Sequence, residues 1–323
     1  MNVSTGLAYT LHGTTLALAW FLLANLALTA AVALATPAVT RRLRGAPASL
    51  WFGLRILPGM GAALFVAAMF LPSYWKYEPF EGVEGFDITL TICGAAAIAL
   101  VTAAGVRALS AWRSARRRTR EWMRTAQPLQ LPGTQMPAYA IAADAPVMAL
   151  VGVLRPRLLV TRGLIDALTP EELAASVAHE IGHSSGRDNL KRLMIRASPD
   201  MLPSSRSSRA LEHLWAASAE HHADHLASGR DVARRCALAS ALVKVARLRP
   251  SATPMAEPIS TLIGGGDLAS RVHSLLDAAP AAAPVRRPTP VIASVSILAA
   301  AAAYAPLLRV VHFATEALVR VLP

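Results

Sequence analysis

Residues 169–183 read Thr-Pro-Glu-Glu-Leu-Ala-Ala-Ser-Val-Ala-His-Glu-Ile-Gly-His, and this stretch decides how the centre of the chain folds. Thr169 can cap a helix, proline is tolerated at the first helical position, and Glu172 can return the capping-box hydrogen bond. A helix must therefore follow. Apolar residues at four-residue intervals mark its buried stripe, namely Leu173, Val177 and Ile181.

The same helix carries the pattern H-E-x-x-H at His179–His183. Residues four apart share one helix face, so the His179 and His183 imidazoles can take adjacent corners of one zinc ion. Glu180 then lies beside the metal and can act as the catalytic base that takes a proton from water. The spacing predicts two metal ligands and one catalytic carboxylate.

A second helix, predicted over Arg209–Ser228, supplies the missing ligand through Glu220. Asp224, one turn later, is placed to accept the outward N–H of an imidazole, most plausibly that of His179. His221 and His222 leave a three-histidine site open, because zinc accepts imidazole readily. Iron(II) is a weaker rival to zinc, because two-histidine, one-carboxylate iron sites usually come from strands.

The composition places the chain in a membrane. Of its 323 residues 54% are hydrophobic and only 16% are charged, and the mean hydropathy is +0.41. Apolar runs long enough to span a bilayer as helices predict four transmembrane segments. They are Leu16–Ala35 (about 15–36), Ile56–Trp75, Ile88–Val106 (about 88–107) and Val291–Leu308 (about 291–312).

Charge between the spans predicts the orientation, because Lys and Arg near span ends stay on the cytoplasmic side. The net charge of +12 comes from basic residues that flank the spans and that no nucleic-acid motif accompanies, so we expect no nucleic-acid partner. They include Arg41, Arg42, Arg44 and Arg55 between the first two spans, Arg107 to Arg120 after the third, and Arg286 and Arg287 before the fourth. The acidic loop Ser73–Asp87 faces outward. These features predict a multi-pass inner-membrane protein.

The residues between the third and fourth spans predict a cytoplasmic domain with its own core. We expect residues 1–111 to hold three spans, 112–285 the inserted domain, and 286–323 the fourth span and a short tail. Short apolar runs at the start of the insert predict a small antiparallel sheet, with strands at Ala138–Ala142, Val147–Val153 and Arg157–Val160. The predicted fold is mainly α with a small β-sheet.

With these residues in hand, the chain resembles the gluzincin membrane metallopeptidases, whose signature is HExxH on one helix and ExxxD on the next. The likeness is dense from about Val147 to Asp224, including Arg187-Asp188-Asn189-Leu190. The span count resembles the beta-lactam-sensing receptor (BlaR-type) branch without its sensor domain. The Glu220-to-Asp224 form resembles the related heat-shock and prenyl-protein protease branch.

The motifs and the resemblance together imply a zinc metalloendopeptidase that hydrolyses peptide bonds of a protein or peptide substrate at the cytoplasmic membrane face. We expect an extended substrate to pair with an exposed edge strand, most plausibly Val147–Val153. The oxyanion donor stays open among Arg271, His273 and His222.

Two other readings compete with cleavage of a separate substrate. One is a signalling or scaffold protein that holds a structural zinc and cleaves nothing. The other is a self-cleaving signal transducer that is cut within Arg113–Pro132. The sequence does not predict the substrate, the activating signal or the oligomeric state.

Overall fold

The computed structural model describes residues 3–43, 45–79, 88–131, 133–142, 146–203, 205–248, 268–277 and 290–321, with backbone alone for 3–5, 290–300 and 321. Part of the acidic loop, with Glu81, Glu84 and Asp87, lies outside the described residues. So do Arg44, Arg286 and Arg287, on which part of the predicted orientation depends.

Helices make up the part of the chain that is predicted to lie in the membrane. They are α1 (Val3–Arg42), α2 (Ala48–Phe65), a π-turn (Val66–Phe70), α3 (Leu71–Tyr77), α4 (Ile88–Met123) and α11 (Pro290–Val321). Among the described residues three helical segments are long and apolar enough to cross a membrane: 6–42, 48–77 and 88–123. The fourth predicted span lies within α11, whose first residues have no described side chains, so it stays a prediction.

The inserted region contains a four-stranded sheet in the order β1-β2-β4-β3. Its strands are β1 (Gln127–Leu129), β2 (Ala138–Ile141), β3 (Met148–Val151) and β4 (Arg157–Thr161). The strand β1, which pairs antiparallel with β2, was not predicted. The antiparallel prediction is right for β3–β4 but wrong for β2–β4, which pair in parallel. The reason is that β3 and β4 form a hairpin whose second strand lies against β2, so β4 becomes a central strand. The apolar runs of the sequence do not specify this order.

Among its described residues, six helices complete the insert. They are α5 (Arg162–Ala167), α6 (Pro170–Gly186), α7 (Asp188–Ala197), α8 (Arg206–Ser228), α9 (Val232–Leu248) and α10 (Leu268–Leu276). The predicted capping box of α6 is confirmed, since the Glu172 amide donates to Thr169 Oγ1 at 3.3 Å and the Thr169 amide to Glu172 Oε2 at 2.9 Å. The fold is mainly helical, as the sequence predicts.

The core of the insert lies between the sheet, α6 and α9. Leu158 and Val160 of β4, Val177 of α6, and Leu238 and Leu242 of α9 are all buried in it. Helix α6 is thus held on both sides, which fixes the helix that carries the two histidines.

A second apolar cluster joins the insert to the first membrane helices. Trp51 of α2 packs with Ile195 of α7 and with Leu211 and Trp215 of α8, and all four are buried. Helix α4 also runs without a break from the third predicted span into the insert and ends at Met123. One apolar cluster therefore lies within the insert, and a second is shared with the predicted spans.

Candidate metal centre

Helix α6 brings two imidazoles to one point. His179 is fully buried, His183 is 8% exposed, and their Nε2 atoms lie 3.1 Å apart. The two rings meet edge to face, with centroids 4.7 Å apart. The four-residue spacing therefore produces the convergence that the sequence predicts.

Glu220 reaches this point from α8. Its Oε2 lies 3.5 Å from His179 Nε2 and its Oε1 lies 3.6 Å from His183 Nε2. The approach depends on Gly182, where a Cβ atom would come within 2.9 Å of the Ala223 Cα atom. One ligand atom from each of His179, His183 and Glu220 lies within 4.8 Å of the others.

Each imidazole is oriented by a carboxylate on its other nitrogen. Asp224 Oδ1 lies 2.8 Å from His179 Nδ1, which is the partnership that the sequence predicts. Asp188 Oδ2 lies 2.8 Å from His183 Nδ1, a role that the sequence analysis missed. Arg187 adopts a left-handed conformation, with φ of 52°, so the chain turns sharply between α6 and α7 and returns Asp188 to His183. The sequence contains one signal for this contact, an acidic residue, Asp188, five positions after His183.

Arg271 of α10 completes the charge arrangement. Its Nε donates to Asp224 Oδ2 at 2.9 Å and its Nη2 to Asp224 Oδ1 at 2.6 Å, while Nη1 lies 2.8 Å from Glu220 Oε2. Arg271 is 3% exposed, so this side chain anchors two carboxylates. His273, another candidate oxyanion donor, is exposed and pairs with Asp277 at 3.3 Å.

The three-histidine alternative finds no support in the position of the extra histidines. His221 and His222 are both exposed on α8, whereas Glu220 and Asp224 are buried on the face that meets α6. The structure therefore brings Glu220, and neither neighbouring histidine, to the two imidazoles.

The ionisation of the cluster favours a bound cation. Burial alone lowers the pKa of His183, but the hydrogen bond with Asp188 and the Glu220 carboxylate raise it to about 10. The pKa of His179 is raised by Asp224 and Glu220 despite its burial. Burial raises the pKa of Glu220, but the two histidines and Arg271 outweigh it and hold this pKa well below its usual range. The carboxylates around the pocket therefore stabilise positive charge at the two imidazoles, the place where a bound cation would lie.

The donor atoms fit a zinc ion. When a cation displaces the second proton of each imidazole, the proton that remains lies on Nδ1 beside its carboxylate, and the two Nε2 atoms, 3.1 Å apart, are free to bind that cation. Within the described part of the chain, neither carboxylate oxygen of Glu220 makes a hydrogen bond of normal geometry, although Arg271 Nη1 lies 2.8 Å from Oε2. Two imidazole nitrogens and one carboxylate are a zinc donor set that leaves one coordination position open. His179, His183 and Glu220 could therefore hold the ion.

Glu180 is buried beside the two histidines, but it is not one of the three residues whose ligand atoms lie together. It is 3% exposed, and its Oε1 has no hydrogen-bond partner within the described part of the chain. Burial raises the pKa of Glu180 above its ordinary value. This carboxylate is therefore more basic than an exposed glutamate and has a free oxygen to accept a proton.

A cleft of about 390 Å³ opens beside His183. The loop after β3 and the junction of α6 and α7 line it, chiefly through Gly152, Val153, Leu154 and Arg187. Leu154 and Arg187 are exposed at the surface. The cleft gives small groups and side chains a route to the otherwise buried site.

The expectation about the edge strand needs correction. β3 does lie at one edge of the sheet, but all four of its residues are buried. The Asn189 Nδ2 group donates to the carbonyl oxygens of Leu150 and Gly152, both at 2.9 Å. Asn189 of α7 therefore occupies two carbonyl groups of the predicted edge segment, which are not free to pair with a substrate.

Comparison with known proteins agrees with the geometry. No curated protein matches the chain. Residues 113–249 match the model of peptidase family M48. Peptidases of this family depend on a metal, usually zinc, and the matched stretch contains both motifs. Residues 113–249 therefore form an M48-type domain, and the protein is a zinc metallopeptidase, a hydrolase that acts on peptide bonds.

Proposed function

We propose that the protein is a membrane-embedded zinc endopeptidase in which His179, His183 and Glu220 hold the metal and Glu180 is the catalytic base. One observation carries the proposal: three ligand atoms converge within 4.8 Å beside a buried carboxylate that has an oxygen free. Asp188 and Asp224 orient the imidazoles, and Arg271 holds Asp224 and Glu220.

The chemistry that zinc supplies in such a site is Lewis-acid catalysis, which lowers the pKa of water and polarises a carbonyl group. Glu180 accepts the proton of the attacking water through its free Oε1 and then delivers that proton to the leaving amine nitrogen. Its raised pKa suits both steps, because a carboxylate with a pKa nearer neutrality is a better base and a readier acid.

The substrate approaches through the cleft beside His183. Because Asn189 occupies the Leu150 and Gly152 carbonyls, the contacts that select the substrate come from the loop after β3 and from the α6–α7 junction. The exposed Leu154 gives this cleft an apolar rim, and Arg187 adds a positive charge. We expect a protein or peptide with an apolar side chain next to the cleaved bond.

The peptidase domain lies on the cytoplasmic face of the cell membrane in this proposal. The three long apolar helices support a bilayer location, and the basic residues next to them support the orientation. We assign residues 1–111 to three spans, 112–285 to the peptidase domain and 286–323 to a fourth span. This arrangement supports the receptor-like branch, and nothing of its drug sensing is assigned to this chain.

The test uses full-length protein in detergent micelles, loaded with one equivalent of zinc and incubated with a peptide library made from a digested proteome. Wild type should produce new peptide termini that Glu180→Gln does not produce, although the variant keeps its zinc. Glu171→Gln is the matched control, because Glu171 is exposed on the same helix. Cleavage that persists in Glu180→Gln would remove Glu180 as the base.

The same assay separates the competing readings. A structural-zinc scaffold predicts bound zinc and no new termini from the wild-type protein. A self-cleaving protein predicts a Glu180-dependent cut within residues 113–132 and none in the library. Residues 113–123 of that segment belong to helix α4 and residues 127–129 form β1, so self-cleavage would require part of the fold to open.

A further inference from the structure

The loop between α7 and α8 is held by all three of the first predicted spans. Asn25 Nδ2 of α1 donates to the carbonyl oxygen of Pro199 at 2.6 Å, and Arg107 Nη2 of α4 donates to that of Ser198 at 3.0 Å. On α2, Gly59 leaves room for the loop, since a Cβ atom there would lie 2.7 Å from Pro199 Cδ. This 198–200 loop is therefore in contact with all three helices, α1, α2 and α4.

Arg55 of α2 connects the 198–200 loop to helix α8. Its guanidinium pairs with Asp200 in the 198–200 loop, and its Nε donates to Glu212 Oε1 of α8 at 2.9 Å. Arg55 and Asp200 are 4% and 3% exposed. From the sequence, Arg55 is only one of the basic residues predicted to set the orientation. Its burial shows that it serves an internal contact instead.

The position of Glu220 depends on this part of α8. Glu212 and Glu220 are eight residues apart on one helix, which is about 12 Å along its axis. Between them Trp215 packs against Phe52 and Trp51 of α2. Because α8 is continuous from Arg206 to Ser228, a displacement at Glu212 is carried to Glu220. Zinc ligands tolerate errors of only about 0.2 Å, so small displacements matter.

We propose that Arg55 is a positioning residue for the metal site. By pairing with Asp200 and Glu212 it fixes α8 against the membrane helices, and so it sets the distance between Glu220 and the two histidines. The inference rests on the proposed metal ligands and deepens the proposed function. It assigns the predicted membrane spans a part in building the site, beyond anchoring it.

The test measures zinc affinity in full-length protein by competition with a chromogenic chelator, together with the visible absorption of the cobalt(II) form and the thermal unfolding midpoint. Arg55→Met should weaken zinc binding at least tenfold. Glu212→Gln, which removes the charge from the contact to α8 at a partly exposed position, should weaken it about threefold and shift the cobalt spectrum. Arg113→Met is the matched control, because Arg113 is exposed on α4.

A third variant separates positioning from the burial of unpaired charge. Arg55→Met combined with Asp200→Asn and Glu212→Gln leaves no unpaired carboxylate in the cluster. We expect this variant to recover the unfolding midpoint but not the zinc affinity. Recovery of wild-type zinc affinity, or unchanged affinity in Glu212→Gln, would overturn the proposal. Zinc affinity and the unfolding midpoint are both measured without any cleavage. If the wild-type protein binds zinc tightly but cleaves no peptide, that result therefore contradicts only the proposed function.

Discussion

Gly182 is the position where the packing of two helices and the geometry of the metal site can be tested with one methyl group. A Cβ atom at this position would lie 2.9 Å from the Ala223 Cα atom and 3.1 Å from its Cβ atom. Carbon atoms in contact prefer at least about 3.5 Å, so Gly182→Ala must separate α6 from α8 by about 0.6 Å. The nearest atom is backbone, so no side-chain rotation relieves the clash.

This separation acts directly on the ligands. His179 and His183 lie on α6, and Glu220 lies on α8 less than one turn from Ala223. A displacement of about 0.6 Å is three times the error that zinc ligands tolerate. We therefore expect Gly182→Ala to weaken zinc binding at least tenfold, which corresponds to about 1.4 kcal/mol. Alanine favours helix formation over glycine, so a weaker helix cannot explain the loss.

The measurement is the zinc dissociation constant from chelator competition, with Gly163→Ala as control. Gly163 lies in helix α5, and apart from its chain neighbours and its own helix backbone no atom of the described residues lies within 4 Å of the Cβ that alanine would add there. Adding Ala223→Gly to Gly182→Ala removes one of the two clashing carbons and should restore part of the affinity. If Gly182→Ala binds zinc within twofold of wild type, the close approach of α6 and α8 does not determine the site.

Two further predictions concern carboxylates that support the site and the fold. Asp188→Ala should weaken zinc binding about 10- to 100-fold, with little change in the unfolding midpoint of the metal-free protein. If the variant binds zinc as tightly as wild type, the His183 imidazole does not need the Asp188 carboxylate to bind the metal. Glu172→Gln should lower the unfolding midpoint at pH 7. Burial raises the pKa of Glu172, but hydrogen bonds from Lys244, Ser240 and the Thr169 amide outweigh it, so the net pKa is lowered. Its stabilisation is therefore fully present above pH 4.5, the ordinary pKa of glutamate, and is lost as the pH falls from there through the lowered pKa. The difference between wild type and variant should stay constant from pH 7 to about pH 5 and shrink below pH 4.5.

The parts of the site that could be predicted are those that local geometry determines. The capping box fixes where α6 begins, and the four-residue spacing then fixes which side chains share a face. The same rule places Glu220 and Asp224 together on α8. Three of the metal-site side chains and the Asp224 partner of His179 follow from these two helices alone.

The parts that could not be predicted depend on contacts between distant segments. Asp188 reaches His183 only because Arg187 adopts a left-handed conformation, which no side-chain pattern indicates. Arg271 meets Asp224 across 47 residues, and Arg55 meets Asp200 across 145. The parallel pairing of β2 and β4 has the same origin, since alternation along a strand specifies which face is buried but not which strand lies beside it.

The shared cluster of Trp51, Ile195, Leu211 and Trp215 leads to a prediction about the isolated domain. Residues 112–285 would contain every proposed ligand, but cutting there divides α4 and removes Trp51 and Arg55. Leu211 and Trp215 are 1% and 4% exposed in the full chain. Exposing each of them costs about 1.5–3 kcal/mol, a large share of the stability of an ordinary domain.

We therefore expect the isolated fragment to bind a hydrophobic dye and to hold zinc more weakly than the full chain does. Asp200 adds to this effect, because without Arg55 its carboxylate loses the cation that pairs with it in the full chain. Chelator competition and dye fluorescence on the fragment and on full-length protein, in the same detergent, measure both effects. A monomeric fragment that binds zinc as tightly as the full chain would mean that the membrane helices only anchor the peptidase.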